Sequence, residues 1–267
     1  MRRLITLIIS GPALRPFRSS WTAWAAAFLL GGAVLLAPAG PLHAYDPSCA
    51  EAIGPTASLE FCDFSDLYRP NASMSGAQLD YANLNSATLT ESDMSYVDLS
   101  FAIIYDAYLR SVDLTGATLI DADLEVAYMA SANLQYADLT GAFLSDAYLA
   151  AADLRNAILV SANLHDAYLA DAMLNSADLS NAILNEAYLG STNLFGAAMT
   201  GADLSNAYLG SADLRGADLR NANLSYAYLN GALVNGESRF DGVTWNNTVC
   251  PNGVLSNDNA GTCLGTW

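Results

Sequence analysis

Few side chains in this sequence are of the types that carry out acid–base, nucleophilic or metal chemistry. The chain has two histidines and four cysteines, while 27 acidic residues supply most of its ionisable groups. His165 stands apart from any second histidine or cysteine, and neither Cys49 with Cys62 nor Cys250 with Cys263 has the Cys-x-x-Cys spacing of a zinc site. The sequence also lacks a glycine-rich phosphate loop and a nucleophile with a recognisable base. We therefore predict a non-enzymatic protein without cofactor or metal, in which His165 is a solvated surface residue.

Two columns of side chains recur every 20 residues and could instead bind a partner. Tyrosine precedes the central apolar residue at Tyr108, Tyr128, Tyr148, Tyr168, Tyr188, Tyr208 and Tyr228. Two residues earlier stand Asp106, Asp146, Asp166 and Glu186, interrupted by Val126, Asn206 and Tyr226. Aromatic area would supply affinity, and the carboxylates would select a basic protein. A stabilising tyrosine ladder beside a merely solvated acidic face is the alternative interpretation, and it stays open.

The elements that position these columns follow from a shorter period. From 57 to 236 a five-residue unit, Ala-(Asp/Asn)-Leu-x-x, recurs without an insertion. An α-helix would scatter the leucines around its axis, because five residues advance it by about 500°. A flat strand would send successive leucines to opposite faces, because its side chains alternate with period two. The pattern is satisfied only if the chain turns a corner in every unit, with alanine and leucine pointing inward.

The tyrosine period then sets the number of corners in a coil. Four five-residue units make up the spacing of 20 residues between tyrosines, so residues 20 apart lie above one another at the strand spacing of ~4.8 Å. We predict an all-β solenoid of about nine four-sided coils, a rod ~43 Å long.

The repeat units resemble those of a known family. Ala-Asp-Leu-Thr-Gly at 137–141, Ala-Asp-Leu-Arg-Asn at 152–156 and the double unit at 212–221 are similar to the units of pentapeptide-repeat proteins. The resemblance implies a right-handed quadrilateral β-helix. Because some members are acidic rods that mimic DNA and bind type II topoisomerase, it also implies a candidate function.

The first 44 residues have the order of an export signal. A start with Arg2, Arg3, Arg15 and Arg18 is followed by an apolar run over 23–37 and by the small residue Ala44, after which cleavage is expected. The run is shorter than the ~20 residues that span a bilayer, so an uncleaved anchor is the weaker alternative. We expect a periplasmic or secreted protein that is not bound to a membrane after cleavage.

The charge limits the partners. The formal charge is −17, there is no lysine, and removal of the leader would leave six arginines against 27 acidic residues, a charge of −21. Binding to nucleic-acid phosphates draws its affinity from clustered Lys and Arg, so the charge disfavours direct binding and we predict none. The hydrophobic fraction of 53% also excludes an acidic disordered tail.

The repeat decays at both ends, where we expect caps. We assign a signal peptide to 1–44, an N-terminal cap segment to 45–56, the β-helix to 57–236 and a disulfide-closed C-terminal cap to 237–267. Arg69 takes an inward position, which is tolerable only at the open end of the solenoid, where its charged group can reach water. Trp245 could cover the core at the last coil. In the C-terminal cap, the segment Asn-Asp-Asn at 257–259 is interpreted as a turn, with calcium binding left open.

The rod also restricts the disulfides. Its ends are ~40 Å apart on the strand spacing, whereas a disulfide needs Cα atoms within roughly 7 Å. We therefore predict Cys49–Cys62 and Cys250–Cys263. Each bridge closes a loop of ~14 residues, which contributes ~3 kcal/mol in the loop-entropy account.

These observations favour one function and leave two alternatives. We expect a secreted or periplasmic acidic scaffold that presents a surface to a protein, with the partner and the oligomeric state undetermined. A DNA mimic that binds topoisomerase suits the charge, but such proteins work in the cytoplasm and this chain carries a leader. A glycan-binding β-helix would need a groove, which a compact four-sided rod does not offer.

Overall fold

The computed structural model describes Cys49 and residues 52–265 of the chain. The predicted signal peptide, with its cleavage after Ala44, lies outside these residues. Within them, no helix is both long enough and apolar enough to cross a membrane.

Residues 20 apart in sequence are paired throughout the repeat, which confirms the predicted coil. Isolated parallel bridges join them from Ser58 with Gln78 to Asp213 with Leu233. On each wall, the backbone N–H of the outward residue donates to a carbonyl of the preceding coil. The N–H of the inward residue that follows donates to a carbonyl of the next coil. The Tyr148 N–H, for example, donates to the Ala127 carbonyl at 2.9 Å, and the Leu149 N–H donates to the Tyr168 carbonyl at 2.8 Å. Each wall thus contributes one bridged residue per coil, and the β-structure consists of four ladders of single bridges.

The four walls are named here by the outward residues at their centres. The tyrosine wall carries residue 68 and every twentieth residue to 228, wall 2 runs from 73 to 233, wall 3 from 58 to 218, and wall 4 from 63 to 223. Along the chain, each coil passes from wall 4 to the tyrosine wall, then to wall 2 and wall 3.

A tight turn forms each corner between walls. The Ala152 N–H donates to the Leu149 carbonyl at 3.0 Å, and Ala151, between them, has a φ of 55°. A positive φ at the third residue is the mark of a type II turn. The same corner position is left-handed in every unit from Thr56 through Gly231, and again at Gly242 and Asn247. This conformation explains why Gly, Asn and Asp are so common there.

The core consists of the inward leucines and alanines. Leu154 and Ala152 are fully buried, as are their equivalents in neighbouring coils. Burial of each leucine contributes ~1.5–3 kcal/mol. Ser92 and Thr192 replace the inward alanine, and the core satisfies both hydroxyls. The Ser92 Oγ accepts the Ala72 N–H at 2.9 Å, and the Thr192 hydroxyl donates to the Leu169 carbonyl at 2.9 Å.

The solenoid continues beyond the end of the recognisable repeat. After Leu233 the bridges span 21 residues, from Asp218 with Arg239 to Tyr228 with Val249. One extra residue is therefore inserted at 234–238, and this shift brings Phe240 and Trp245 into inward positions. Their rings pack at 5.5 Å between centroids, and Trp245 is buried in the last coil.

A short cap follows this last coil. Val249 pairs antiparallel with Leu255, and the 3-10 helix Ser256–Asp258 comes directly after it. Within the cap the Asn257 amide donates to the Asn247 side-chain oxygen at 2.7 Å, and the Asn259 amide donates to the Thr262 carbonyl at 2.8 Å. These side chains hold the predicted turn together.

Both predicted disulfides are present. The Cα atoms are 5.9 Å apart in Cys49–Cys62 and 5.3 Å apart in Cys250–Cys263. The first bridge ties the segment before the repeat to the first coil, and the second closes the C-terminal cap. Arg69 in the first coil is exposed, as expected for a charged residue at the open end of the solenoid.

Candidate interaction surface

Six of the predicted tyrosines form a continuous ladder of stacked rings on the tyrosine wall. From Tyr128 to Tyr228, consecutive ring centroids lie 4.7–5.0 Å apart with interplanar angles of 6–12°. This spacing follows from the backbone ladder, which places equivalent side chains one strand spacing apart. Each of the six residues keeps 36–39% of its surface exposed. The wall therefore presents an amphipathic strip of ring edges and hydroxyls.

Tyr108 and Tyr68 lie on the same wall but differ from these six. Their backbones pair through Thr88, yet Tyr108 is 49% exposed and Tyr68 is 76% exposed. Arg110 stands two residues after Tyr108, at the position where five of the six stacked tyrosines have a small residue. The ordered strip thus begins at the fourth coil.

A shelf of small residues supports the ladder, and sequence reasoning missed it. The residue two positions after five of the six stacked tyrosines is small, and the rings cover it: Ala130, Ala150, Ala170, Gly190 and Gly210. After Tyr228 this position holds Asn230, whose amide donates to the Tyr228 hydroxyl at 3.2 Å. A Cβ added at Gly190 would lie 2.7 Å from the Tyr188 ring, and one at Gly210 would lie 2.5 Å from the Tyr208 hydroxyl. The signal was available as a second column with the period of 20, but small residues are so common in the repeat that it did not stand out.

The predicted acidic column occupies the corner between wall 4 and the tyrosine wall, which we call the acidic corner. Asp146, Asp166 and Glu186 are exposed there and Asp106 is half-buried. All four have a left-handed backbone, with φ between 53° and 65°. Asp is one of the residues that tolerate this conformation. The corner therefore supplies a backbone reason for Asp at 106, 146 and 166, besides any role in binding.

One part of this corner holds carboxylates close together. Burial raises the pKa of Asp123. The pKa of Glu125 is raised mainly by burial and also by the negative charges of Asp123 and Asp146. A cationic partner at this point would relieve the repulsion.

On the other walls, many carboxylates serve the turns. The Oδ1 of Asp178 accepts the Ser180 N–H at 3.0 Å, and the same bond recurs wherever Asp or Asn occupies the outward wall position before such a turn. Arginine also neutralises some of these charges, in the pairs Asp153–Arg155, Asp213–Arg215 and Asp218–Arg220, each at 2.6 Å. Hydrogen bonds from Arg215 and Arg220 lower the pKa values of Asp213 and Asp218.

His165 has a contact that the sequence did not indicate. Its Nδ1 lies 2.8 Å from the Asn185 amide nitrogen and 3.1 Å from the Asn185 carbonyl. The ring thus links two coils at the acidic corner. Across Cys49 and 52–265 there is no group of three or more His, Cys, Asp or Glu side chains placed to hold a metal ion.

Comparison with known proteins places these features in a family. The family model of pentapeptide repeats matches in eight copies between residues 57 and 236. No curated protein matches the chain. Among solved structures, the pentapeptide-repeat protein Rfr23 from the cyanobacterium Cyanothece 51142 is 36% identical over 35% of this chain, with a TM-score of 0.35, and this chain spans 64% of its length.

Two further structures match more of the chain. HetL, a pentapeptide-repeat protein involved in heterocyst differentiation regulation in the cyanobacterium Nostoc sp. strain PCC 7120, is 30% identical. The match covers 72% of this chain and 91% of HetL, with a TM-score of 0.28. QnrB1, a plasmid-mediated fluoroquinolone resistance protein, is 18% identical over 64% of this chain and 90% of its own, with a TM-score of 0.44. The matched repeat, which covers most of the chain, shows that it belongs to the pentapeptide-repeat proteins.

Proposed function

We propose that this right-handed, four-sided solenoid is a non-enzymatic scaffold that binds a partner protein on its tyrosine wall. The ladder from Tyr128 to Tyr228 carries the proposal, because it is a flat, regular and partly exposed aromatic surface. Aromatic residues dominate the energetics of protein interfaces.

Charge supports the choice of this wall. At their outward central positions the other three walls carry Asp in several coils, whereas the tyrosine wall carries Tyr or Thr from 68 to 228. A partner that covers this wall therefore desolvates few charges. Exposed carboxylates at the edge of this wall can pair with basic side chains: Asp146, Asp166 and Glu186. They favour a partner whose interface has a basic rim.

The ladder geometry favours a protein over a glycan. Sugars bind aromatic side chains by lying against the ring faces. Here the faces of the inner rings are covered by their neighbours at 4.7–5.0 Å. The exposed edges and hydroxyls suit protein side chains and backbone groups better.

Export completes the proposal. A leader that is removed after Ala44 would deliver the scaffold to the periplasm or the exterior. The pairing of all four cysteines supports this location, because such bridges persist in oxidising compartments.

Site-specific photocrosslinking tests which wall binds. Tyr148 on the tyrosine wall and Phe143 on wall 4 are outward aromatic residues in one coil, 37% and 45% exposed. A photoreactive phenylalanine replaces one or the other in the full-length protein, which is expressed in the cells that produce it. We expect a discrete crosslinked protein from position 148 and none from position 143. Crosslinking from 143 alone would overturn the choice of wall.

A further inference from the structure

A second aromatic ladder lies at the corner between wall 3 and wall 4, in the first three coils. The Phe61 and Tyr81 rings stack at 5.1 Å between centroids, and the Tyr81 and Phe101 rings stack at 4.9 Å. These residues are 54%, 49% and 45% exposed, more than the stacked tyrosines of the tyrosine wall. All of wall 4 separates this corner from the tyrosine wall.

The local backbone does not favour aromatic residues here. Phe61, Tyr81 and Phe101 have φ values of 58°, 59° and 60°. The left-handed conformation disfavours bulky side chains and favours Gly, Asn and Asp. In later coils the same corner position is filled by Asp121, Gly141, Ser161, Asn181, Gly201 and Asn221. The first three coils therefore keep exposed rings where smaller residues would fit the turn better.

Partly buried carboxylates flank these rings. Glu60 and Asp80 directly precede Phe61 and Tyr81, and Asp98 lies on wall 3 in the next coil. Partial burial raises the pKa of Asp80, and the charges of Asp98 and Glu60 raise it further, so the three carboxylates act on one another. The carboxylates of Glu60, Asp80 and Asp98 thus place these rings in a negative field.

We propose that Phe61, Tyr81, Phe101, Glu60, Asp80 and Asp98 form a second docking surface, which binds an arginine-bearing segment of a protein. Both faces of the Tyr81 ring are covered by its neighbours, so the guanidinium would lie against the outer face of an end ring, Phe61 or Phe101. From there its N–H groups can pair with a carboxylate. Lysine has a compact, strongly hydrated charge and fits such a site less well. A purely apolar segment would desolvate the carboxylates without pairing them. This surface is independent of the tyrosine wall, so either can fail without the other.

Binding of a short peptide of alternating arginine and glycine, compared with its lysine counterpart, tests the proposal. Affinities are measured by titration calorimetry on the full protein. A salt concentration of about 0.15 M screens non-specific attraction of the peptide to the acidic rod. The variant Phe61→Asn, Tyr81→Asn and Phe101→Asn keeps every charge and uses the residue already present at Asn181 and Asn221. We expect the wild type to prefer the arginine peptide, and the variant to lose about fivefold in its affinity for that peptide and most of the preference. Tyr148→Thr with Tyr168→Thr, on the tyrosine wall, should leave this binding unchanged.

Two results would overturn the proposal. Equal affinity of the wild type and the folded triple variant for the arginine peptide would show that the rings bind nothing. If the triple variant fails to fold, the pair Glu60→Gln and Asp80→Asn decides, because it leaves the rings in place. Unchanged affinity in that pair would mean that the corner is only a structural ladder.

Discussion

At the scale of single residues, many of the acidic side chains are explained by the backbone. At the outward wall positions Asp and Asn accept the N–H of the residue two further on, as Asp138 does from Thr140 at 3.0 Å. At the corners Asp adopts the left-handed conformation, as Asp166 does with a φ of 56°. Asn could serve in either place, so the backbone does not require the negative charge of these Asp residues.

Asp123 is a position where the charge should cost stability. Because burial raises its pKa, the folded state binds this proton more readily than the unfolded state, and folding gains relative stability as pH falls toward the raised pKa. The variant Asp123→Asn keeps the oxygen that accepts the Glu125 N–H at 3.2 Å and removes the charge. We expect its Tm at pH 7 to rise by about 2 °C, and the gain to shrink as pH falls toward ~4. A thermal scan at several pH values measures this, with Asp178→Asn as control, and a gain that is the same at every pH would contradict the argument.

The shelf beneath the tyrosines gives a second prediction at this scale. In Ala170→Leu the larger side chain meets the Tyr168 ring, so the ladder must open at that coil, at a cost of ~1–3 kcal/mol. We expect a weaker near-ultraviolet circular dichroism signal from tyrosine and a lower Tm. Val160→Leu changes the same position two units earlier, on wall 3 and away from the ladder, and should change neither. Equal spectra for the two variants would mean that the rings do not need the shelf.

At the scale of elements, the inward leucines carry the fold and the outward residues decorate it. Leu154 is fully buried between two coils, so Leu154→Asp places an unpaired carboxylate in the core and should cost more than ~4 kcal/mol. Asp153→Asn keeps the turn acceptor and loses only the ion pair with Arg155, and such pairs at the surface contribute little to stability. Chemical denaturation measures both, and similar unfolding free energies would refute the inward and outward assignment.

The two disulfides should differ in their resistance to reduction. Cys250 and Cys263 are fully buried in the C-terminal cap, whereas Cys49 is partly exposed. A reductant reaches an exposed sulfur first. With a mild reductant under native conditions, alkylation and mass spectrometry should find Cys49–Cys62 open before Cys250–Cys263. The reverse order would show that the C-terminal cap opens more readily than its burial indicates.

The two periods of the sequence predict the repeated elements, but they do not predict the backbone conformation of the turns or the positions that depart from the repeat. The periods of five and 20 fix which residues face inward, how the coils stack and which cysteines can meet, because each depends only on side-chain type and spacing. The left-handed backbone at Asp146 could not be read from spacing, since φ is a property of the turn. The shelf at Ala170 escaped notice because the core also uses alanine. The coil that ends at Val249 was assigned to the cap, since its Phe240 and Trp245 replace the leucine signal.

At the scale of the whole molecule, the four walls differ chemically although they share one backbone. Wall 3 carries Asp98, Asp138, Asp178 and Asp218 in alternate coils, with neutral residues between them. Carboxylates ~9.6 Å apart repel less than those in adjacent coils. Wall 3 therefore spaces its charges out, whereas the acidic corner keeps carboxylates in successive coils at Asp146, Asp166 and Glu186. The tyrosine wall combines regular aromatic area with a neutral centre, and this combination makes it the surface best suited to docking.

The most direct test replaces three rings of that wall and measures binding and stability together. Tyr148, Tyr168 and Tyr188 are changed to Thr, the residue already present on this wall at Thr88. The control replaces Phe143, Asn163 and Ile183 of wall 4 by Thr in the same coils. We predict that both variants fold, that the tyrosine variant melts at a lower temperature than the control because it loses stacked ring pairs, and that only the tyrosine variant loses the protein that crosslinks from position 148. A folded tyrosine variant that still captures this protein would contradict the account, as would one that unfolds, because the ladder would then be needed for stability alone.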